Sequence, residues 1–287
     1  MVDLTKAGTY KFAGRQVNRM GYGAMQLSGP GIFGAPEDPN LACEVLKQAL
    51  AMGVNHIDTS DFYGPYITNQ LIKQALFPYP DELTIVTKVG ALRDDKANWL
   101  PAFEKEQLIR AIHDNCEHLG LEAVDVVNLR AMFAEGPAEG SLEEPLSVLA
   151  ELQQQGLIKH IGLSNVTPKQ LEQAQQMVNI VCVQNMYNVA NRQDDDFIDE
   201  LAKTHIPYVP FFPLGGFSPL QSAVLDEIAS QHQVSVMQVA LAWLLQRSEN
   251  ILLIPGTSSL AHLQDNLAAA ELILPEADID KLNQIAG

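Results

Sequence analysis

Residues 53–64 read Gly-Val-Asn-His-Ile-Asp-Thr-Ser-Asp-Phe-Tyr-Gly, and in them a short apolar run ends abruptly in polar side chains. The run at 54–58 has the length and composition of a buried strand. Asp58, Asp61 and Tyr63 lie at its carboxyl end or just after it, and a segment with helical periodicity follows at 69–77. A buried strand followed by a polar loop and a helix is the unit from which parallel α/β sheets are built.

The same order of strand and helix recurs along the whole chain. Eight strands are predicted, at residues 20–23, 54–58, 84–88, 124–129, 160–164, 181–184, 208–212 and 251–255. Helices are predicted at 41–52, 69–77, 106–119, 142–155, 168–177, 195–204, 235–246 and 260–269. Eight such units in roughly 250 residues predict an α/β fold, a parallel eight-stranded (β/α)8 TIM barrel. We expect a single domain over residues 1–287, with a short N-terminal β-hairpin.

One stretch, Gly-Pro-Gly-Ile-Phe-Gly at 29–34, fits the alternative of an open, doubly wound sheet. It satisfies the G-x-G-x-x-G pattern and follows the first predicted strand, as in dinucleotide-binding sheets. That pattern requires a helix to begin at its last glycines, whereas Pro36 and Pro39 follow here and the helix is predicted to begin near Leu41. We therefore interpret 29–34 as a loop over one end of a barrel.

The composition argues against several classes of partner. A net charge of -17 and a pI of about 4.7 disfavour nucleic acid and anionic membranes as partners. No stretch approaches the roughly 20 apolar residues of a membrane span, and the N-terminal sequence MVDLTKAGTY has no secretory leader. Cys43, Cys116 and Cys182 are spaced neither as a disulfide framework nor as a zinc site. We expect a cytoplasmic protein without a metal ion, without a nucleic-acid or membrane partner, and with no obligate protein partner indicated.

Three polar residues on consecutive strand ends are predicted to lie together, because the carboxyl ends of parallel strands meet at one edge. They are Asp58, Tyr63 and Lys88. A phenol is a poor proton donor at neutral pH until a neighbouring cation stabilises its phenolate, and Lys88 is such a cation. Asp58 is placed to hold the charge of that lysine. Each residue alone fits an ordinary turn or surface position, but the three together favour a catalytic site.

Five stretches of the chain resemble the aldo-keto reductase superfamily. They are Gly-Val-Asn-His-Ile-Asp-Thr-Ser-Asp-Phe-Tyr-Gly, Thr-Ile-Val-Thr-Lys, Gly-Leu-Ile-Lys-His-Ile-Gly-Leu-Ser-Asn, Gln-Asn-Met-Tyr-Asn and Ile-Pro-Gly-Thr-Ser-Ser. The resemblance implies a (β/α)8 barrel that binds NADP(H) without a Rossmann fold and reduces carbonyl groups to alcohols. It also implies that Asp58, Tyr63 and Lys88 are three members of the catalytic tetrad of that superfamily.

The fourth member of the tetrad departs from the usual pattern. Many members carry a histidine where this chain, in Asp-Val-Val-Asn-Leu-Arg, has Arg130. An arginine stays charged and cannot relay protons, but it can donate hydrogen bonds to a carbonyl oxygen. We expect Arg130 to orient that oxygen and to stabilise negative charge on it. The alternative is a surface charge in an ordinary loop.

The resemblance also implies a set of cofactor contacts. The nicotinamide carboxamide is assigned to Ser164, Asn165 and Gln184, the nicotinamide ring to Phe211, and the remaining contacts to Gly23, Met25, Pro213, Leu214, Gly215, Gly256, Thr257, Ser258, Ser259, His262, Asp265 and Asn266. Some members carry Lys at position 256 and Arg at position 262 of this chain. Because Gly256 and His262 supply neither fixed charge, we expect NADP(H) with the use of NAD(H) left open.

The substrate is the least determined part, since pockets of this kind are built from loops. Phe33, Phe62, Trp99 and Met132 are candidate apolar lining. Three stretches together resemble the bacterial pyridoxal reductase branch of the superfamily: Gly-Tyr-Gly-Ala-Met-Gln-Leu, Asp-Val-Val-Asn-Leu-Arg and Pro-Phe-Phe-Pro-Leu-Gly-Gly-Phe. That branch implies a small aldehyde substrate, with pyridoxal reduced reversibly to pyridoxine.

Three alternatives remain open from the sequence. The first is a carbonyl reductase of broad specificity, and the second is a non-catalytic nicotinamide-nucleotide sensor on the same barrel. The third is a barrel lyase or isomerase that uses Asp58 and Asp61 as a carboxylate pair or metal site.

Overall fold

The computed structural model describes residues 2–216 and 220–285, and within them the chain alternates strands and helices. The strands are β1 (Thr9–Phe12), β2 (Arg15–Asn18), β3 (Tyr22–Gly23), β4 (His56–Asp58), β5 (Thr84–Val89), β6 (Ala91–Arg93), β7 (Trp99–Pro101), β8 (Val124–Arg130), β9 (Ile158–Ser164) and β10 (Ile180–Gln184). The helices are α1 (Pro39–Ala51), α2 (Ile67–Leu76), α3 (Lys105–Leu119), α4 (Glu143–Gln154), α5 (Pro168–Gln175), α6 (Asp195–Lys203), α7 (Ala223–His232), α8 (Val236–Arg247), α9 (Leu260–Ala268) and α10 (Glu276–Asn283). Short 3-10 turns lie at Leu4–Ala7, Ala24–Leu27, Pro30–Ile32 and Ala269–Glu271.

A six-stranded parallel sheet forms the centre of the fold. Its strand order is β10-β9-β8-β5-β4-β3, and every neighbouring pair is parallel. Its strands are almost wholly buried, as expected for a sheet with side chains packed on both faces. Isolated parallel bridges continue from its edges, joining Val183 to Tyr208, Tyr208 to Ile251 and Met20 to Leu253. The arrangement is that of the TIM-barrel class.

The predicted strands at 208–212 and 251–255 appear only as isolated bridges, which include a further one between Met186 and Phe211. Pro210 interrupts the first segment, Pro207 and Pro213 flank it, and Pro255 ends the second. Because proline has no amide hydrogen to donate, the segment at 208–212 cannot form a continuous ladder with its neighbours. The six other strand predictions agree with the structure to within a few residues.

An antiparallel pair of strands, β1 and β2, precedes the sheet and runs from Thr9 paired with Asn18 to Phe12 paired with Arg15. Phe12 and Val17 are buried in a cluster with Val86 and Val126 of the central sheet. Apolar contacts of this kind hold the pair against one end of the sheet.

Several helices begin where the sequence provides a capping residue. At α5, Thr167 and Gln170 form a capping box, and Pro168 occupies the first turn, so the predicted start of this helix is confirmed. At α1, Asp38 accepts hydrogen bonds from the amides of Asn40 and Leu41, and the helix begins at Pro39 rather than near Leu41.

Two further observations concern membrane-spanning helices and the state of the cysteines. No helix in the described residues is long and apolar enough to cross a membrane. Cys43 and Cys182 are buried free thiols, and Cys116 is a half-buried one.

Candidate active site

The predicted catalytic residues lie at the carboxyl ends of adjacent strands. Asp58 ends β4, Lys88 is the penultimate residue of β5, and Arg130 ends β8. Tyr63 belongs to the loop that follows β4. The parallel register brings these strand ends to one edge of the sheet, as the sequence predicted.

Asp58 and Lys88 form a buried ion pair. The Lys88 Nζ donates to Asp58 Oδ1 at 2.5 Å and to the Thr59 carbonyl oxygen at 3.0 Å. Gln184 Nε2 donates to Asp58 Oδ2 at 2.8 Å. Burial lowers the pKa of Lys88, but the charges of Asp58 and Tyr63 oppose it and leave that pKa above its ordinary value. The lysine is therefore held as a cation in a dry site.

Tyr63 lies beside this cation, with its ring centroid 5.2 Å from Lys88 Nζ. Burial raises the pKa of the Tyr63 phenol above its ordinary value, although Lys88 and Arg130 act to lower it. Lys88 therefore lowers the pKa of Tyr63, as the sequence predicts, but burial raises that pKa by more. The phenol is kept protonated at neutral pH, next to two cations that can stabilise its phenolate.

Arg130 is largely buried and points its guanidinium toward the same group of residues. Its NH1 donates to Ser164 Oγ at 3.3 Å, and its Cζ lies 5.1 Å from the Phe211 ring centroid. Burial lowers the pKa of Arg130, while Tyr63 and Asp58 raise it. Arg130 forms no ion pair within residues 2–216 and 220–285, so its charge is available to another acceptor.

The residues expected to hold the carboxamide include two buried acceptor oxygens. Asn165 Oδ1 and Gln184 Oε1 have no hydrogen-bond partner in the described part of the chain. Asn165 has a positive φ of 61°, and its Nδ2 donates to the Ala131 carbonyl oxygen at 2.8 Å. A buried acceptor without a donor is costly, so these two oxygens suit a ligand that carries an amide N–H group.

The segment after Tyr208 places Phe211 next to Arg130, but Phe211 and Phe212 are both only partly buried. Pro213 is buried, Leu214 is half-buried, and Gly215 has a φ of 91°. A positive φ at this position favours glycine.

Gly256 has a steric reason to lack a side chain. Gly23 and Gly256 form a parallel bridge, and a Cβ on Gly256 would lie 2.6 Å from the Gly23 carbonyl oxygen. A lysine at position 256 would therefore require the two backbones to separate. The expected nucleotide segment is held to β3 a second time through Tyr22, whose hydroxyl donates to the Thr257 carbonyl oxygen at 2.6 Å.

The remaining residues expected near the adenosine lie at the start of α9. Ser259 is the N-cap, and its Oγ accepts from the amide of His262 at 3.4 Å. Asp265 Oδ2 accepts from Ser235 Oγ at 2.6 Å, so this carboxylate is engaged by the cap of α8. Asn266 is buried and Ser258 is exposed.

The predicted apolar lining is brought together around Tyr63. Phe62 contacts both Tyr63 and Trp99 edge to face, at centroid distances of 5.4 Å and 5.5 Å. Met25 and Met132 pack against the cluster that contains Phe62 and Tyr63.

Arg93, which the sequence did not single out, connects two parts of this lining. Its guanidinium lies 4.0 Å from the Trp99 ring centroid and 5.5 Å from that of Phe33. It also donates to the carbonyl oxygens of Gly31 and Ile32, at 3.1 Å and 2.9 Å. Arg93 therefore fastens the 29–34 loop to the antiparallel pair of β6 and β7. That loop adjoins the loop after β4, since Gly34 N donates to the Gly64 carbonyl oxygen.

The two carboxylates of the opening stretch have different partners. Asp58 is held by Lys88 and Gln184, whereas Asp61 Oδ1 contacts His118 Nδ1 at 2.9 Å and accepts from Asn69 at 3.2 Å. Among the described residues, no group of three or more His, Cys, Asp or Glu side chains could hold a metal ion. This geometry disfavours a shared carboxylate pair. It also shows that Asp61 is buried in a polar network, not a simple loop cap.

The sequence of the whole chain places it among known proteins. Residues 19–286 match the model of the aldo/keto reductase family. The chain belongs to this family of oxidoreductases. It is 61% identical to pyridoxine 4-dehydrogenase of Escherichia coli (strain K12), with 98% of this chain and 99% of that protein covered.

Solved structures of the family share the fold. A thermostable aldo-keto reductase, Tm1743, solved with the inhibitor epalrestat, is 29% identical with a TM-score of 0.81, covering 96% of this chain and 99% of that one. An aldo-keto reductase from Klebsiella pneumoniae in complex with NADPH is 20% identical with a TM-score of 0.77, covering 96% and 94%. The second likeness concerns the fold alone.

Proposed function

We propose that this protein is an NADPH-dependent carbonyl reductase that reduces an aldehyde to an alcohol, with pyridoxal and pyridoxine as its substrate and product. The observation that carries the proposal is the buried Lys88 cation between Asp58 and the protonated Tyr63 phenol. The choice of pyridoxal is supported by the full-length 61% identity to the Escherichia coli pyridoxine 4-dehydrogenase.

The scaffold of this site is, we infer, a complete (β/α)8 barrel in a single domain over residues 1–287. Bridges from Val183 to Tyr208, from Tyr208 to Ile251 and from Gly256 to Gly23 of β3 support closure of the sheet. The antiparallel pair of β1 and β2 acts as an N-terminal hairpin at one end. Location in the cytoplasm stays a prediction from the sequence.

The chain's own polar groups fit a nicotinamide nucleotide. Asn165 Oδ1 and Gln184 Oε1 are buried acceptors suited to the carboxamide N–H groups, with Ser164 next to them. Phe211 is placed to pack on the nicotinamide ring, and the capped start of α9 at Ser259 suits a phosphate. When bound, NADPH supplies the hydride. Since neither Gly256 nor His262 carries a fixed charge, use of NADH is a further part of the proposal.

Protonation of the carbonyl oxygen is assigned to Tyr63. Its phenol is neutral before the reaction, since the ordinary phenol pKa of about 10 lies above neutral pH and burial raises it further, and Lys88 and Arg130 stabilise the phenolate left behind. Asp58 keeps Lys88 charged and fixed in place. Arg130 donates to the same oxygen and cannot relay a proton, so no group that titrates near neutral pH acts from position 130.

NADPH absorbance followed with pyridoxal and with a panel of small aldehydes tests this proposal. We expect Tyr63→Phe to lower kcat roughly 100- to 10,000-fold, as for the loss of a general acid. Tyr10→Phe in β1 is the matched control and should retain turnover. Turnover that survives in Tyr63→Phe would refute the proposed acid. Saturable NADPH binding without consumption on any aldehyde would favour a sensor, and equal rates across the panel would favour a reductase of broad specificity.

A further inference from the structure

A buried polar network lies behind the proposed active site, between the sheet and helices α2 and α3. Asn69 accepts from Thr59 Oγ1 at 2.7 Å and donates to Asn115 Oδ1 at 2.9 Å. Asn115 Oδ1 also accepts from Thr87 Oγ1 at 2.5 Å. All four of these residues are fully buried, and Asp61 joins them through Asn69.

The network contacts the chain close to three of the four proposed catalytic residues, Asp58, Tyr63 and Lys88. Thr59 follows Asp58, and Thr87 precedes Lys88. Because neighbouring residues of a strand point to opposite faces, the threonines face the helices while Asp58 and Lys88 face the site. Asp61 stands two residues before Tyr63, and its carbonyl oxygen accepts from Tyr66 N at 2.7 Å.

We propose that Asp61, acting through Asn69 and His118, is a positioning residue that holds the loop of Tyr63 and both strand ends in their catalytic geometry. This role rests on the proposed function. A buried network of amides and a carboxylate is costly unless each member is satisfied, and apolar side chains would fill the same space without directional bonds. Its contribution is therefore geometric precision more than stability.

His118 gives the network contact with solvent. Its side chain is 18% exposed, against 7% for Asp61, and its ring packs at a tilt against Tyr66, with a centroid distance of 4.6 Å. Asp114 and Arg110 of α3 are the other charged groups that face this region. On the α2 side, Lys73 donates to the Glu117 carbonyl oxygen at 3.0 Å.

The network should respond to mild acid. Burial, opposed by His118, raises the pKa of Asp61 to about 6. Below that pH the carboxyl loses the charge that strengthens its bonds to Asn69 and His118. A folded-state pKa above the unfolded value means that protonation of Asp61 stabilises the folded state as the pH falls. A loss of turnover near pH 6 would then report weaker positioning, not unfolding caused by this group.

The test measures kcat and KM for NADPH oxidation with pyridoxal from pH 5 to pH 9. We expect Asp61→Ala to lower kcat roughly 10- to 100-fold at pH 7.5, the cost of misplacing a catalytic group, with the KM for NADPH unchanged. Asp61→Asn keeps the shape of the side chain but cannot titrate, so it should abolish the fall in kcat near pH 6, the acid limb of the pH profile. If Asp61→Ala does not fold, the pH profile of Asp61→Asn alone tests the positioning role of Asp61.

The matched control is Asp278→Asn. Asp278 forms a similar half-buried pair with His232, at 2.7 Å, between α7 and α10. It should leave both kcat and the acid limb as in the wild type. A wild-type kcat in Asp61→Ala, an unchanged acid limb in Asp61→Asn, or the same loss of that limb in Asp278→Asn would each overturn the positioning role. A wild-type protein that oxidises no NADPH would instead overturn the proposed function, and this role with it.

Discussion

Asp58→Asn should destabilise the protein in a way that depends on pH. Lys88 Nζ keeps the Thr59 carbonyl oxygen as an acceptor in this variant but loses its carboxylate partner, and its side chain is only 4% exposed. Breaking a buried pair by removing one charge costs about 3 to 5 kcal/mol. The variant can limit that cost by releasing the lysine proton. Doing so costs about 1.4 kcal/mol per pH unit below the ordinary lysine pKa of about 10.4, which is about 4.6 kcal/mol at pH 7 and about 2 kcal/mol at pH 9.

Urea denaturation at pH 7 and pH 9, followed by circular dichroism, measures this difference. In the wild type the raised pKa of Lys88 keeps the pair intact at both values, so the excess destabilisation of the variant should shrink at the higher pH. Glu151→Gln, which removes an exposed partner of Lys105, is the control and should cost less than about 1 kcal/mol at either pH. An equal loss of stability at both pH values would refute the reasoning that burial of an unpaired lysine charge causes the loss.

Three further predictions concern residues around the site and beneath it. Arg130→Met should lower kcat about 100-fold or more while leaving NADPH affinity by fluorescence titration intact, and unchanged turnover would remove Arg130 from the site. Arg93→Met should raise the KM for the aldehyde roughly 3- to 30-fold with a smaller effect on kcat, since it releases the contact with Trp99; steady-state kinetics that show only a kcat effect would contradict this. Burial lowers the pKa of His56 to about 4, so the unfolded chain binds a proton more tightly and stability should fall by about 2 to 3 kcal/mol between pH 7.5 and pH 4.5. Urea denaturation of His56→Leu should lack that decline, and a persisting decline would assign it to other groups.

The sequence predicts the sheet well because buried parallel strands are short, apolar and separated by amphipathic helices. Asp58 and Lys88 could be paired from sequence for the same reason, since consecutive strand ends must be neighbours. The strand at 208–212 was overestimated because apolar composition does not reveal that Pro210 removes an amide hydrogen from the ladder, and the strand at 251–255 appears only as isolated bridges.

Other features depend on contacts that no local pattern encodes. The β6–β7 pair was missed because its strands have three residues each, and Arg93 gains its role only from that pair. Helices α7 and α10 were not predicted either. His118 contacts Asp61 although the two are 57 residues apart in sequence, so only the tertiary structure identifies the partner of this carboxylate. The steric need for Gly256 likewise depends on how closely Gly23 approaches it.

The part of the sheet at Tyr208 and Ile251–Leu253, called the wall below, is joined only by isolated bridges, and this affects how the protein binds its nucleotide. Amide hydrogens exchange with solvent through local opening, and a wall joined by isolated bridges should open more easily than the long ladder between β8 and β9. The residues proposed to contact the nucleotide, from Phe211 to Gly215 and from Gly256 onward, continue directly from that wall. Part of the binding free energy would then go into suppressing these openings. Nucleotide affinity and the exchange rate of these few amides should therefore change together in any variant that stiffens or loosens the wall.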